Sequence, residues 1–355
     1  MKLLIKRIAL SLLLILIIFV AHILISTGFF RTIENNFNGT VLKEVSIKGA
    51  EDITVHALEG FALISSTNRE IYPPIKEEKG ALYFMNLKDN DFDVTNLTSS
   101  FDKSFAPHGI SMIKKDSTYT IMAINHTPKG HAIEVFSMQD KTLIHKKTLK
   151  HSSLVSPNDL VLIDENRFYV TNDHKYTDGF GKVLEEYLGL SISNVLYYDG
   201  ENYIEVANGI AYANGINFDR KRNLLYVASP RAFLVKVYTK NDDGSLEFIE
   251  DIPCNTGVDN IEIDSEGNLW IGAHPNLLRF GSYAKGEKET SPSEIIKITY
   301  NGKNDYTIEQ QYTDDGTGMS GSTVAAPYKN LIITGNVMDD HFLILKAKKR
   351  SPIKQ

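Results

Sequence analysis

The chain has 355 residues, of which 42% are hydrophobic and 23% charged, a globular composition that excludes disorder as the main state. Its 38 Lys and Arg against 44 Asp and Glu leave a net charge of −6, so it has no basic footprint for nucleic acid, which is not expected as a partner. The single cysteine, Cys254, excludes an intrachain disulfide and any CxxC metal or redox motif.

The N-terminus reads as a separate object. Residues 8–25 are apolar except for Ser11 and His22, and about 20 helical residues at about 1.5 Å each span a hydrocarbon layer of roughly 30 Å. Lys2, Lys6 and Arg7 precede the run and Arg31 is the first Lys or Arg after it. Positive charge stays on the cytoplasmic side, so the rest of the chain is expected across the membrane. Residues 1–30 are therefore read as a signal anchor and 31–355 as one domain outside the cytoplasm. A cleaved signal peptide, giving a secreted or periplasmic protein, is the alternative; its apolar core is usually shorter, about 7–15 residues. Asn38 and Asn96 begin glycosylation acceptor motifs.

The body repeats. A strand ending in a small or polar residue recurs as FALIS (61–65), IMAIN (121–125), FYVTN (168–172), LYVAS (225–229), LWIGAH (269–274) and LIITGN (331–336), spaced 45 to 62 residues apart. That spacing is of the order of a four-stranded propeller blade with its loops. Hairpin turn residues precede most copies, such as Glu59-Gly60 and Ser265-Glu266-Gly267-Asn268. Ahead of each turn stands a polar knot and a second strand: Glu51-Asp52, His108-Gly109, Asn158-Asp159, Asn214-Gly215, Asp259-Asn260 and Ser322-Thr323. Six such units make an all-β, six-bladed propeller with the knots around one end of the central channel. Helix is scarce outside the anchor; residues 181–190 form the one short lid-like candidate, with Val183, Leu184, Tyr187 and Leu188 at apolar helical spacing.

The knots supply oxygen. Glu51, Asp52, Asp159 and Asp259 converging without compensating Lys or Arg would repel one another unless a cation sat among them. Six to eight oxygen ligands in flexible geometry suit Ca²⁺. Glu51 and Asp259 with the amide oxygens of Asn158, Asn214 and Asn260 make one such site. Asp52 and Asp159, one residue along, point to the other side of their strands or deeper into the channel and would serve a second ion. His108 lies in the second knot and His126 returns beside it on the next strand, a pair suited to proton transfer near neutral pH. His174 and His274 occupy matching positions in later blades and read as structural hydrogen-bonders. No G-x-S-x-G elbow, H-E-x-x-H or P-loop is present, so metal-assisted hydrolysis is the expected reaction class.

In order and approximate spacing, GAED (49–52), PHGIS (107–111), Asn158-Asp159, TNDH (171–174), ANGIN (213–217), VDNI (258–261), HPN (274–276) and GSTVA (321–325) resemble the paraoxonase/arylesterase family over about residues 45–345. The resemblance implies a six-bladed propeller with two Ca²⁺ ions. It places the catalytic ion on Glu51, Asn158, Asn214, Asp259 and Asn260, and the structural ion on Asp52, Asp159 and the carbonyl of Ile110. It puts the family's histidine dyad on His108 and His126, with Asp259 as the competing base or nucleophile. It implies hydrolysis of lactones, aryl esters and, in some members, organophosphate triesters. The substrate wall falls on Tyr72, Tyr212 and Phe280, the last beside Gly281 where the family has an aromatic. The family's bridge between the chain ends has no counterpart here, so the ring must close by strand pairing alone, and the family's free cysteine before HPN is Ala273. A non-catalytic Ca²⁺-stabilised scaffold and a strictosidine-synthase-like propeller are the alternatives.

Overall fold

In the computed structural model, residues 1–69, 79–89 and 91–348 are described. Six sheets follow one another around a ring, each entered at its innermost strand and built outward, and blades 5 and 6 each gain a further outer strand from the start of the domain. The inner strands begin blades 1 to 6 in turn: Ala50–His56, Pro107–Lys115, Pro157–Leu162, Ile216–Asp219, Gly257–Ile263 and Ser322–Tyr328. All six repeat copies read from the sequence are the second strands of these blades. The polar knots lie on, or immediately before, the first strands.

The ring has no single core. Six clusters of buried apolar side chains fill the six seams between successive blades. The seam of blades 1 and 2, for example, packs Leu63, Leu82 and Phe84 against Ile110, Ile121 and Phe136. Each sheet is therefore covered on both faces, which is why its strands read as near-continuous apolar runs rather than alternating ones. The space left at the axis is lined by the inner strands.

Closure joins the two ends of the chain. Gly39–Val45, from the N-terminal side, pairs antiparallel with the last described strand, Phe342–Ala347, from Gly39 opposite Ala347 to Val45 opposite Phe342, with a register shift at Leu42. The last blade thus takes its outermost strand from the start of the domain. A two-residue strand, Asn36–Phe37, extends blade 5, and Arg31 holds this entry segment by a two-pronged ion pair to Glu294 at 2.8 and 2.9 Å.

Helix α1 (Lys2–Ser26) is the one described helix long and apolar enough to cross a membrane, and none of its residues is buried against the propeller. Helix α2 (Gly179–Leu188) overlaps the expected lid-like segment and ends where Gly189 takes φ +66°, a left-handed cap that glycine supplies without strain. A further helix, α3 (Leu277–Ala284), was not anticipated. Asn276 caps it by accepting the Arg279 N–H, so the HPN motif works partly as a helix start. α3 also meets the end of α1, where the Leu277 N–H donates to the Thr27 carbonyl at 2.9 Å.

Candidate functional site

The inner strands do not pair residue for residue with their neighbours. In five blades the register slips at the knot: around Glu51, at His108-Gly109, at Asn158-Asp159, at Asp259-Asn260 and at Thr323-Val324. In blade 4 the Asn214 N–H donates to the Ala228 carbonyl, and the Ala228 N–H to Gly215, just ahead of the inner strand. Each slip is a β-bulge, which sets extra residues against one partner and re-aims side chains that a regular pleat would send to opposite faces. Five of the six polar knots are these bulges.

The bulges touch across the seams. Asp52 Oδ2 accepts the Ile110 N–H at 2.7 Å, and Asp159 Oδ2 accepts the Ile216 N–H at 2.8 Å. Asn260 Nδ2 donates to Glu51 Oε1 at 2.9 Å, although 209 residues separate them. Thr323 Oγ1 donates to the Glu51 carbonyl. Gly109 lies so close to blade 3 that a Cβ there would stand 2.5 Å from Asp159 Cα, and one on Gly215 would stand 2.6 Å from Asn260 Cα. Glycine as the second residue of these two knots is thus what lets neighbouring inner strands close on one another.

Seven of the expected ligand side chains, Glu51, Asp52, Asn158, Asp159, Asn214, Asp259 and Asn260, are each at most 6% exposed. Five oxygens among them are buried with no hydrogen-bond partner: Glu51 Oε2, Asn158 Oδ1, Asn214 Oδ1, Asp259 Oδ1 and Asn260 Oδ1. In four of these side chains the other end is held. Glu51 Oε1 takes Asn260 and lies 3.2 Å from His108 Nε2; Asn158 Nδ2 donates to Asp173; Asp259 Oδ2 meets His274 Nε2 at 2.8 Å; Asn260 Nδ2 is bonded to Glu51. A buried unpaired acceptor costs about 1–3 kcal/mol, so five at one end of one channel form a prepared donor set rather than an accident of packing. Among the described residues no three His, Cys, Asp or Glu side chains group for a metal ion; the donors here are carboxylate and amide together. That chemistry fits a hard cation.

The charges agree with that reading. Burial alone would raise the Glu51 carboxyl, but His108 and Arg69 beside it carry it below its ordinary range. Burial raises Asp259 despite its bond to His274. Asp52 and Asp159 are pushed well up, first by burial; the nearness of Asp159 adds to it for Asp52. These two carboxyls and Ile110 line a cavity of about 110 Å³ that also contains Asn217 and Glu262. Burial pushes Glu262 up to about 8. The consecutive polar side chains of knots 1 and 3 therefore part, the second of each pair, Asp52 and Asp159, facing this cavity.

His108 Nδ1 and His126 Nε2 are 2.9 Å apart, and the rings meet edge to face. His126 is 3% exposed, and burial foremost, then His108, His131 and Arg69, holds its basicity well below that of a free imidazole.

The arylesterase family profile matches residues 30–343. The chain belongs to the arylesterase family. It is 36% identical to serum paraoxonase/arylesterase 1 of Homo sapiens, over 81% of this chain and 83% of that one. It is 33% identical to serum paraoxonase/lactonase 3 of Oryctolagus cuniculus, over 84% and 86%. Two solved propellers share the fold at low identity. One is a gluconolactonase from Xanthomonas campestris, at 12% identity and TM-score 0.53 over 87% and 89% of the two chains. The other is a calcium-binding regucalcin from Agrobacterium tumefaciens, at 13% and 0.51 over 90% and 98%. As an arylesterase the chain is an enzyme, a carboxylic ester hydrolase.

Two of the three wall residues expected of this arylesterase stand next to the ring. Tyr212 packs edge to face on His174 with centroids 4.7 Å apart, in a left-handed backbone at φ +65° that a bulky residue rarely adopts. Phe280, on α3, stacks on His274 at 3.7 Å. Tyr72 lies outside the described residues. His174 and His274 each bond a carboxylate, Asp173 and Asp259, as structural histidines do. Sequence reasoning missed three supports of the candidate site. Asp173 bonds Ser156, Asn158 and His174 together, and burial, which would raise it, is overcome by those bonds. Arg69 bonds the Gly49 and Pro107 carbonyls. His131 sits 2.7 Å from His126. Asp173 lay within a quoted motif, and His131 is set opposite His126 by a tight hairpin; no spacing rule marked Arg69.

Proposed function

We propose that the chain is a calcium-dependent hydrolase of lactones and aryl esters, with a catalytic ion on Glu51, Asn158, Asn214, Asp259 and Asn260 and a structural ion on Asp52, Asp159 and the Ile110 carbonyl. The observation that carries this reading is the set of five unpartnered, buried oxygens at one end of the channel. The names of the relatives support the ester and lactone substrates. A bound calcium ion would supply Lewis-acid polarisation of the substrate carbonyl.

The chain's own residues supply the rest. His108 Nε2 faces the ring at Glu51 and takes the proton of the attacking water. His126 holds the other nitrogen of His108 and so fixes the plane and tautomer of the ring. Asp259 is the competing base. Its Oδ2 is occupied by His274 and its Oδ1 is one of the five free oxygens, which favours a ligand role over proton transfer. Tyr212 and Phe280 border the ring and form an apolar wall for the substrate. The anchor places the propeller on the non-cytoplasmic face of a membrane, with Lys2, Lys6 and Arg7 inside.

A series of lactones of graded chain length, assayed with calcium and after chelation and dialysis, tests the reading. Turnover is expected to vanish without the ion and return with it. Full activity in the chelated enzyme would sink the metal assignment. A base is worth about 10²–10⁴-fold in rate, so His108→Ala should lose at least about 100-fold; wild-type turnover in that variant would remove the histidine from the mechanism.

A further inference from the structure

The bonded series of imidazoles does not end at His126. His126 Nε2 meets His108 Nδ1, and His126 Nδ1 meets His131 Nδ1 at 2.7 Å, with rings 4.7 Å apart and nearly perpendicular. His126 and His131 are directly opposed across the hairpin of Thr118–Thr127 and Gly130–Gln139, so the strand pairing itself sets this contact. His126 is buried with both nitrogens engaged, so a proton arriving on it has no direct path to water. His131 is half-buried and reaches the surface.

We propose that His131 is the outer member of a three-histidine relay that passes to solvent the proton His108 removes from water. The proposal rests on the reading of His108 as the base. In the receptive arrangement water replaces Glu51 Oε1 at His108 Nε2, His108 Nδ1–H donates to His126 Nε2, His126 Nδ1–H donates to His131 Nδ1, and His131 Nε2 bears the outer proton. When His108 Nε2 takes a proton, the Nδ1 proton of His108 moves to His126 Nε2. The Nδ1 proton of His126 moves to His131 Nδ1, and the Nε2 proton of His131 leaves to water or buffer. One proton enters and one leaves, and no ring keeps a charge.

The surroundings favour transmission over storage. His126 faces His108, His131 and Arg69, all cationic when charged, in addition to its burial. His131 is lowered by burial and by His108 and drawn the other way by Asp173. A charge is therefore disfavoured on the middle ring and better tolerated on the outer one. His131 is a positioning and relay residue, since it acts through His126 and touches no reacting atom.

The test uses full-length, calcium-loaded enzyme, with lactone turnover measured from pH 6 to 9 in low and high buffer. His131→Ala and His131→Gln are expected to lower kcat about tenfold, short of the roughly 100-fold minimum for the base itself, with KM unchanged. Imidazole or concentrated buffer should restore His131→Ala, because a small base fills the outer position. Unchanged kcat, or a loss that neither restores in a variant with parental circular dichroism, would overturn the relay. If His131→Ala does not fold, His131→Gln decides by the same kcat and buffer dependence. His108→Gln, run in parallel, separates the two ideas: its full activity defeats the base itself, whereas its inactivity beside unaffected His131 variants defeats the relay alone.

Discussion

Asp173 touches no free oxygen of the ring, yet it holds Asn158 by the amide nitrogen and so decides which end of that side chain faces the axis. Outer partners of metal ligands are typically worth about 10–100-fold in affinity. Asp173→Ala should therefore weaken calcium binding by about that factor while leaving the fold intact, which a calcium titration by calorimetry reads directly. At this scale the acids and amides proposed as ligands could be picked out in the sequence, because they recur at blade phase. Their supports could not. Asp173 and Arg69 act through contacts that strand pairing and blade packing create, and neither lies on an inner strand. Tyr212 could be named from resemblance, but its left-handed backbone has no signature in the residues around it.

At the scale of elements, the second strands were readable as apolar runs ending in small residues, because both sheet faces are covered. The bulges were visible only as polar interruptions; nothing in a string of residues distinguishes a turn cap from a re-aimed pair within a strand. α3 escaped because its eight residues begin directly after a strand, at a motif already assigned to the site. Arg231 shows how the helices are tied. It donates to the Ser26 carbonyl and hydroxyl and to the Glu186 and Tyr187 carbonyls, so one guanidinium caps the C-terminal ends of α1 and α2. Charged hydrogen bonds contribute about 1.5–3 kcal/mol each. Arg231→Ala should thus lower amide-exchange protection around residues 24–28 and 186–190 by a few kcal/mol, without altering exchange in the blades; uniform loss across the propeller would show that the arginine supports more than these two ends.

At the scale of the whole molecule, two features govern stability. The first is closure through Gly39–Val45 and Phe342–Ala347, with no covalent lock. Thr40 and Lys346 are opposed and exposed in that pairing. Cysteines at both positions, once oxidised, should stabilise the ring by up to about 4 kcal/mol by closing a loop of most of the domain; guanidinium unfolding of oxidised against reduced protein measures it. The second is the charge at the axis. Asp52 and Asp159 are raised, so their contribution is fully present below the usual Asp value of about 4 and is lost as pH rises through their folded values. Glu51 and Asp173 are lowered and act oppositely, gaining stability as pH rises, but only through the acidic range below their ordinary values. From weakly acid to neutral pH the raised acids Asp52, Asp159, Asp259 and Glu262 outnumber the lowered His126 and His131, which act oppositely there, so the chelated protein should melt at progressively lower temperature, and millimolar calcium should flatten that slope. A chelated midpoint that rises toward neutrality would contradict the repulsion.

The ring's manner of closing also sets an order on biosynthesis. Glu51 and Asn260 emerge 209 residues apart, and the strand that seals the circle is made after every other described strand of the propeller. A nascent chain can fold blades one after another but cannot present the complete set of oxygens until its final strand has met its first. On the proposed calcium assignment, loading would follow closure of the ring, and the ion would be drawn from the compartment in which the ring closes.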